Sequence, residues 1–211
     1  MKKLFCILVL VSCSMDLYGQ VQRAVEGSST IRKNILNNGE FTFTRNWENI
    51  ATFKSGAGET VDFFYVSFTT PDGKVKASGL QLEAEVLSES IQSFSVSVNP
   101  AALLGEKFAK RSIFIDTDDA LGLIAYLERD VIPNLKTTFK KQSKEYVFKS
   151  DEMFFSFLIS EKSQRITIHI LDYGPLGNKP GGDQIEFWTE SQVDEIPKFL
   201  AKLKNIVKQK N

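Results

Sequence analysis

Polar and apolar residues alternate along much of the chain, and a period of two residues predicts β-strands with one buried face. The clearest example runs from Leu80 to Val86, where every second residue is apolar and the residues between are glutamine and glutamate. Pro71-Asp72-Gly73, just before it, is typical of a turn. In the first half, strands are predicted over residues 41–44, 61–69, 80–86, 93–98 and 113–115. We expect one face of this sheet to contact solvent.

The pattern changes to a helical period directly after the strand at 113–115. Thr117 is predicted to cap a helix, Asp118 and Asp119 lie in its first turn, and Pro133 ends it. The predicted apolar stripe of this helix consists of Leu121, Ile124, Leu127 and Val131. The first half is therefore predicted to be several antiparallel strands followed by one helix.

The second half repeats this pattern, and six of its positions match at a constant offset of 72 residues. The matched positions are Ile113 with Ile185, Ile115 with Phe187, Thr117 with Thr189, Leu121 with Val193, Ile124 with Ile196, and Leu127 with Phe199. Thr189 is predicted to cap the second helix, with Gln192 completing a capping box. Pro197 should kink that helix or delay its start.

Both halves together predict an α+β fold, mostly antiparallel, with two helices and a candidate tandem duplication over residues 41–135 and 144–208. This order of four strands and one helix, twice, resembles that of the PUR and Whirly proteins, which bind single-stranded nucleic acid. The resemblance is one of element order. It matches no sequence motif and assigns no functional residue.

The first 19 residues have the composition of an export signal, with two lysines, an apolar run from Leu4 to Val11 and a polar stretch that ends at Gly19. The apolar run is shorter than the roughly 20 residues that cross a bilayer as a helix. Cleavage after Gly19 is one expectation. The alternative is a lipoprotein leader of residues 1–12, since residues 10–13 resemble a lipobox that would leave Cys13 lipidated. Either route predicts a periplasmic or secreted protein, and the second adds a lipid anchor in the envelope.

The organisation of the remaining chain follows from its composition. Residues 20–40 are polar and rich in glycine, serine and asparagine, which predicts a linker or a loosely ordered segment. Residues 41–211 are predicted to form a single α+β domain. Both cysteines of the chain, Cys6 and Cys13, lie in the leader, so the domain has no disulfide and no thiolate nucleophile.

Charge argues against nucleic acid as a partner. The chain has 26 basic and 26 acidic residues, so no net positive field attracts phosphates. An exported protein would also be separated from nucleic acid. We therefore expect no nucleic-acid partner, and membrane contact only through a lipid anchor.

Few catalytic arrangements are available to this sequence. His169 is the only histidine, which excludes zinc sites with several histidines, and its strand-like surroundings favour a structural or exposed side chain. The metalloprotease, lipase and phosphate-loop motifs are absent. We assign no catalytic residue, no metal ligand and no cofactor.

Two candidate sites remain. The carboxylate cluster of Asp116, Asp118 and Asp119 lacks the spacing of a calcium loop and suits the positive end of a helix dipole. The glycine- and proline-rich stretch 173–183 is long for a connection between strands and has an aromatic residue on either side. Its ligand-binding candidates are Tyr173, Asn178, Lys179, Asp183 and Trp188.

Three functions are compatible with these features. The first is an exported, non-enzymatic module of the bacterial envelope or secreted fraction that binds a protein or glycan. The second is an exported hydrolase that uses carboxylates, for example on glycans, which would need two carboxyl groups in a cleft and one raised pKa. The third is a structural or chaperone-like envelope component, which a long uncovered strand edge would favour.

Overall fold

Each half of the chain forms an antiparallel sheet that is followed by a helix, as seen in a computed structural model that describes residues 28–87, 108–171 and 184–210. The first half contains α1 (Thr30–Asn37), β1 (Thr42–Arg45), β2 (Ala51–Lys54), β3 (Thr60–Thr69), β4 (Lys76–Leu87), β5 (Phe108–Asp116) and α2 (Thr117–Tyr126). Helix α2 continues into a π-helical turn (Leu127–Val131) and a 3-10 turn (Ile132–Asn134). The second half contains β6 (Lys144–Lys149), β7 (Met153–Ile159), β8 (Gln164–Leu171), β9 (Gln184–Thr189), a 3-10 turn (Val193–Glu195) and α3 (Ile196–Lys210).

Strand order in both sheets follows the chain. Sheet 1 has the order β1-β3-β4-β5, and β2 pairs with the other end of β3, so β1 and β2 together form one interrupted edge. Sheet 2 has the order β6-β7-β8-β9. The predicted α+β class with antiparallel sheets is confirmed. The strand predicted at 93–98 lies outside the described residues.

The helix that follows each sheet contacts the opposite sheet. Phe199 of α3 lies on sheet 1, with ring centroids 5.5 Å from Phe53 and 4.9 Å from Phe63. Tyr126, at the end of α2, lies on sheet 2, 6.2 Å from Phe155, and its hydroxyl donates to the carbonyl of Tyr146 at 2.9 Å. Each half therefore completes the core of the other, and one hydrophobic cluster joins both sheets.

A linker or a loosely ordered segment is predicted over residues 20–40, and within this segment residues 30–37 form α1. Asp116 accepts hydrogen bonds from the backbone of Thr30 at 2.6 Å and Ile31 at 3.1 Å, and Ile31 is fully buried. The amide groups at the start of α1 are thus satisfied by a side chain far away in the sequence. Residues 20–27 lie outside the described part of the chain.

The predicted helix starts need two corrections. The hydroxyl of Thr117 donates to the carbonyl of Ser78 at 2.6 Å and does not cap α2. Thr189 is the last residue of β9, and α3 begins at Ile196, where Pro197 fits the first turn because its missing N–H needs no partner there. The delayed start predicted from Pro197 is confirmed. Gln192 forms no capping box, since its side chain instead accepts the backbone N–H of Lys54.

The stripe predicted for α2 is also partly wrong. Leu121 is exposed, whereas Leu123 is fully buried together with Leu127 and Val131. The buried face of α2 contacts two sheets, so it is wider than a single stripe.

Candidate functional site

The outer face of sheet 2 is the first candidate surface. Alternate side chains of β6 to β9 point away from the shared core. Of the three described helices, α1 contacts β4 and β5 of sheet 1, while α2 and α3 belong to the core. Within the part of the chain that the structure describes, no helix lies on this face.

Strand pairing arranges this outer face in three rows. One row contains Lys149, Phe154, His169 and Glu186, the middle row contains Val147, Ser156, Thr167 and Trp188, and the third contains Glu145, Leu158 and Arg165. Val147 and Trp188, at the two ends of the middle row, are exposed hydrophobic side chains. The face therefore combines aromatic, aliphatic and charged groups.

Trp188 is 44% exposed and is held by its neighbours. The guanidinium carbon of Arg165 lies 4.5 Å from the centroid of the Trp188 ring. Arg165 also forms an ion pair with Glu190 at 3.1 Å. A cation against an aromatic ring contributes about 0.5–1 kcal/mol at an exposed site, so these contacts favour one orientation of the indole ring.

In the middle row of this face, two polar side chains are buried. Ser156 is 2% exposed and Thr167 is also buried. The hydroxyl of Ser156 has no hydrogen-bond partner among the described residues. An unpaired buried hydroxyl costs roughly 1–3 kcal/mol, so we expect the hydroxyl of Ser156 to lower the stability of the fold.

His169 forms no catalytic arrangement on this face. Its Nδ1 lies 3.9 Å from a carboxylate oxygen of Glu186, and its ring is perpendicular to that of Phe154. Ser156, in the neighbouring row, donates to no group in the described part. This geometry gives no serine nucleophile activated by histidine.

The other exposed tryptophan, Trp47, lies beside sheet 1 in the loop after β1 and is 83% exposed. Arg45 lies between it and Phe64, 5.3 Å from the Trp47 ring and 3.6 Å from the Phe64 ring. Arg45 is also paired with Glu83 at 3.0 Å. Trp47 thus resembles Trp188 in its contacts with an arginine and is a useful comparison for it.

The predicted carboxylate cluster lines an open groove of about 610 Å³ at the start of α2. Both carboxylate oxygens of Asp116 accept hydrogen bonds from backbone N–H groups of α1, so Asp116 has a structural role. Burial raises the pKa of Asp119, and the charges of Asp151, Asp116 and Asp118 raise it further. Sequence reasoning missed Asp151, because it follows β6 and only tertiary folding brings it to the groove. No group of three potential metal ligands occurs among the residues that the structure describes.

Glu152 was also missed and is the most strongly bound carboxylate in the described structure. It is fully buried, pairs with Arg32 at 2.8 Å, and accepts from the hydroxyl of Ser29 at 2.6 Å. It accepts the N–H of Phe114 at 3.0 Å, while Arg32 donates to the carbonyl of Ser112 at 2.9 Å. This ion pair therefore occupies the free edge of β5.

Two other edge strands each form one hydrogen bond with the opposite half of the chain. Gln192 accepts the N–H of Lys54 on β2, and Tyr126 donates to the carbonyl of Tyr146 on β6. Occupied edges are a common protection against strand addition. A chaperone-like role through one of these edges has little support in this geometry.

The remaining predicted site residues are Tyr173, Asn178, Lys179, Asp183 and Cys13, which lie outside the described residues. Trp188 is the one ligand-binding candidate that the structure describes. Strand β8 ends at Leu171 and strand β9 begins at Gln184.

No helix in the described ranges is long and apolar enough to span a membrane. Comparison of the chain with protein-family models, with curated proteins and with solved structures gave no match.

Proposed function

We propose that the protein is an exported, non-enzymatic binding module of the bacterial cell envelope or secreted fraction, and that it binds its partner through the outer face of sheet 2. The observation that carries this proposal is the exposed, oriented Trp188 on a sheet face that no described helix covers. Tryptophan and arginine are the residues most enriched where binding energy is concentrated. Trp188 and Arg165 occur there together.

The charges on this face suit a protein or a glycan. Two basic residues, Lys149 and Arg165, lie among three glutamates, Glu145, Glu186 and Glu190, so these side chains give the face no net positive charge. Export rests on the first 19 residues, with cleavage after Gly19 or lipidation of Cys13. A lipid anchor would hold the domain at the envelope surface without a membrane-spanning helix.

The test is a pull-down of the tagged, naturally exported protein after mild cross-linking of intact cells. Trp188→Ala should lose the captured partner, because it removes the central aromatic contact. Trp47→Ala is the matched control and should retain it, since Trp47 is exposed beside the other sheet. Mass spectrometry of the mature N-terminus separates cleavage after Gly19 from a lipidated Cys13.

Two results would contradict the proposal. A partner that is retained by Trp188→Ala and lost by Trp47→Ala would place binding on sheet 1. An N-terminus that begins at Met1 in the cytoplasmic fraction would remove the export step.

A carboxylate hydrolase is the second candidate, supported by the raised pKa of Asp119 in the groove that also contains Asp151. Glycosidases use one protonated and one ionised carboxyl group about 5–10 Å apart. Under this alternative, the protein hydrolyses envelope glycans and Asp119→Asn abolishes turnover. Asp72→Asn, in the exposed turn between β3 and β4 and outside the groove, is the control and should retain it.

A further inference from the structure

The outer face of sheet 1 contains a small polar cavity that extends across β3, β4 and β5. Its volume is about 180 Å³, enough for roughly six water molecules at their volume in the liquid. Helix α1 contacts β4 and β5, but none of its residues lines this cavity. Two of the residues that do, Lys110 and Ser112 of β5, are exposed. A ligand as large as one sugar ring can therefore enter from solvent.

The charges at this cavity are balanced. Its charged lining residues are Asp62, Glu83, Glu85, Lys110 and Arg111. Arg45 adds a third cation, because its guanidinium donates two hydrogen bonds to the carboxylate of Glu83, one of them at 3.0 Å. Lys110 lies 3.8 Å from the carboxylate of Glu85. Three acidic and three basic groups give no net attraction for a charged ligand, so the cavity suits a neutral polar one.

Arg45 connects this cavity to an exposed aromatic ring. Its guanidinium carbon lies 3.6 Å from the centroid of the Phe64 ring and 5.3 Å from that of Trp47. The same guanidinium is bonded to Glu83, which lines the cavity. Trp47 is 83% exposed, so most of its ring contacts solvent. Direct contacts therefore join Trp47, Arg45 and the cavity in one surface, which we call the Trp47 site.

The Trp47 site is rich in hydrogen-bonding side chains. Asn49 donates to Asp62 at 3.3 Å. Gln81 is 8% exposed and donates to Ser112 at 2.7 Å, but its Oε1 has no partner among the described residues. The Nε of Arg45 is likewise unpaired within the described part. One acceptor and one donor are thus left over beside the cavity, and a hydroxyl group, which both donates and accepts, is suited to both.

We propose that the Trp47 site binds a neutral glycan, a function separate from the binding of a partner by sheet 2. The indole ring of Trp47 packs against the apolar face of one sugar ring. Arg45 and Asn49 donate to sugar hydroxyls, while Asp62 and Glu83 accept from them. A guanidinium has five N–H donors and a carboxylate about four lone pairs, so the pairing of Arg45 with Glu83 leaves both groups able to bind a sugar.

Two other ligand classes fit the Trp47 site less well. An acidic polymer needs unpaired cations, but Arg45 and Lys110 both face carboxylates. A protein partner concentrates binding energy where an anchor residue fills a desolvated pocket, whereas this cavity is lined by charged and hydroxyl side chains. A neutral glycan meets neither difficulty, because its hydroxyl groups pair with donors and with acceptors.

The test uses the full exported chain carrying Trp188→Phe, so that Trp47 is its only tryptophan and its fluorescence reports on this site. Cellohexaose and chitohexaose are the neutral probes, and polygalacturonate is the acidic one. At least one neutral probe should change the fluorescence in a saturable way. Its affinity should be the same at low and high salt, because the charges of the site are paired. Polygalacturonate should bind at least about tenfold more weakly.

Exchange of the two tryptophans gives the decisive comparison, measured by calorimetry. Trp47→Ala removes the ring on which the sugar packs and should weaken binding of the neutral probe by at least about tenfold. Trp188→Ala, at the other exposed tryptophan, is the matched control and should leave the affinity unchanged. Both side chains are exposed, so urea denaturation should show that both variants remain folded.

A second comparison changes the charge of the Trp47 site. Glu83→Gln leaves the guanidinium of Arg45 without its carboxylate, so polygalacturonate should bind at least about threefold more tightly. The neutral probe should bind more weakly, since one acceptor is lost. Glu186→Gln, on the outer face of sheet 2, is the control and should change neither affinity.

The outcomes separate this proposal from the proposed function. No saturable binding of either neutral probe, tighter binding of polygalacturonate by the unaltered site, or unchanged binding by Trp47→Ala overturns the neutral glycan. A protein that is captured from cells and lost only by Trp47→Ala overturns it in favour of a protein partner, if neither neutral probe binds. A captured partner that Trp188→Ala retains contradicts the proposed function alone and leaves the Trp47 site standing.

Discussion

The strands of both sheets follow the order of the chain, yet among the described residues a helix covers the outside of sheet 1 alone. Val66 and Phe68 point away from the shared core but are fully buried, with the ring of Phe41 4.9 Å from that of Phe68. Helix α1 covers the neighbouring strands β4 and β5. On sheet 2, the outward-facing side chains of Trp188 and Val147 are exposed. A segment that precedes sheet 1 and has no counterpart before sheet 2 makes this difference.

The difference shows where a partner has room to bind. On sheet 1 the apolar outer residues are already buried by the chain itself. On sheet 2 the apolar outer residues remain in contact with solvent, beside a serine whose hydroxyl is unpaired among the described residues. An exposed aromatic group on an otherwise ordered sheet is a common feature of binding surfaces. Substitutions on the two faces should therefore have opposite consequences for stability and binding.

The largest expected effect on stability follows from the loss of the buried Arg32–Glu152 ion pair at the edge of sheet 1. Glu152→Ala leaves Arg32 buried without its carboxylate and should lower the free energy of unfolding by about 3–5 kcal/mol. Urea denaturation measures it. Glu186→Ala, on the open face of sheet 2, should change stability by less than about 0.5 kcal/mol. Equal effects of the two substitutions would contradict the comparison.

Truncation of apolar side chains should give the next largest contrast. Ile31→Ala removes a fully buried side chain of α1 and should cost about 2–5 kcal/mol. Val147→Ala removes an exposed side chain of β6 and should cost less than about 0.5 kcal/mol. Thermal and urea unfolding of both variants test it, and a small effect at Ile31 would mean that α1 is not an essential cover.

A smaller effect with the opposite sign is expected at Ser156. Ser156→Ala removes a buried hydroxyl that has no partner, so it should raise the free energy of unfolding by about 1 kcal/mol. Ser150→Ala is the matched control at a buried serine, and it should lower stability, because Ser150 donates to the carbonyl of Met153 at 3.3 Å. A loss of stability at Ser156 would indicate that its hydroxyl is bonded.

The smallest effect on stability concerns Asp119 in the open groove at the start of α2. Burial and nearby carboxylates raise the pKa of Asp119, so its contribution to stability is fully present below pH 3.8 and decreases as pH rises through the folded-state pKa. At neutral pH, Asp119→Asn should therefore raise stability, by less than about 1 kcal/mol because the side chain is partly solvated. At pH 3 the gain should vanish. An equal gain at both pH values would exclude an electrostatic cause.

Local periodicity was sufficient to predict much of the fold. The buried face of the alternation from Leu80 to Val86 was confirmed, since Leu80, Leu82, Ala84 and Val86 are all buried, whereas the expected solvent contact of the opposite face was wrong for Gln81, which is buried as well. Pro197 correctly indicated a late start for the last helix, because its effect on the backbone is local. Trp188 was selected from the sequence as an aromatic residue beside a glycine-rich loop.

The partners of these residues were not predictable in the same way. Thr117 was expected to cap α2 from its place in the sequence, yet the carbonyl of Ser78 on β4 competes for its hydroxyl. The arginine that orients Trp188 belongs to β8 and reaches it only through strand pairing. Asp151 reaches the acidic groove by the same kind of distant contact.

The sequence by itself therefore determined the type and order of the elements, since hydrophobic period, turn residues and proline act within a few residues of the chain. Only the tertiary structure decided that α3 packs on sheet 1, that α2 contacts both sheets and that α1 covers β4 and β5. Those features depend on contacts such as that of Ser29 with Glu152, 123 positions apart, which no local pattern encodes. The open face of sheet 2 follows from the same long-range packing.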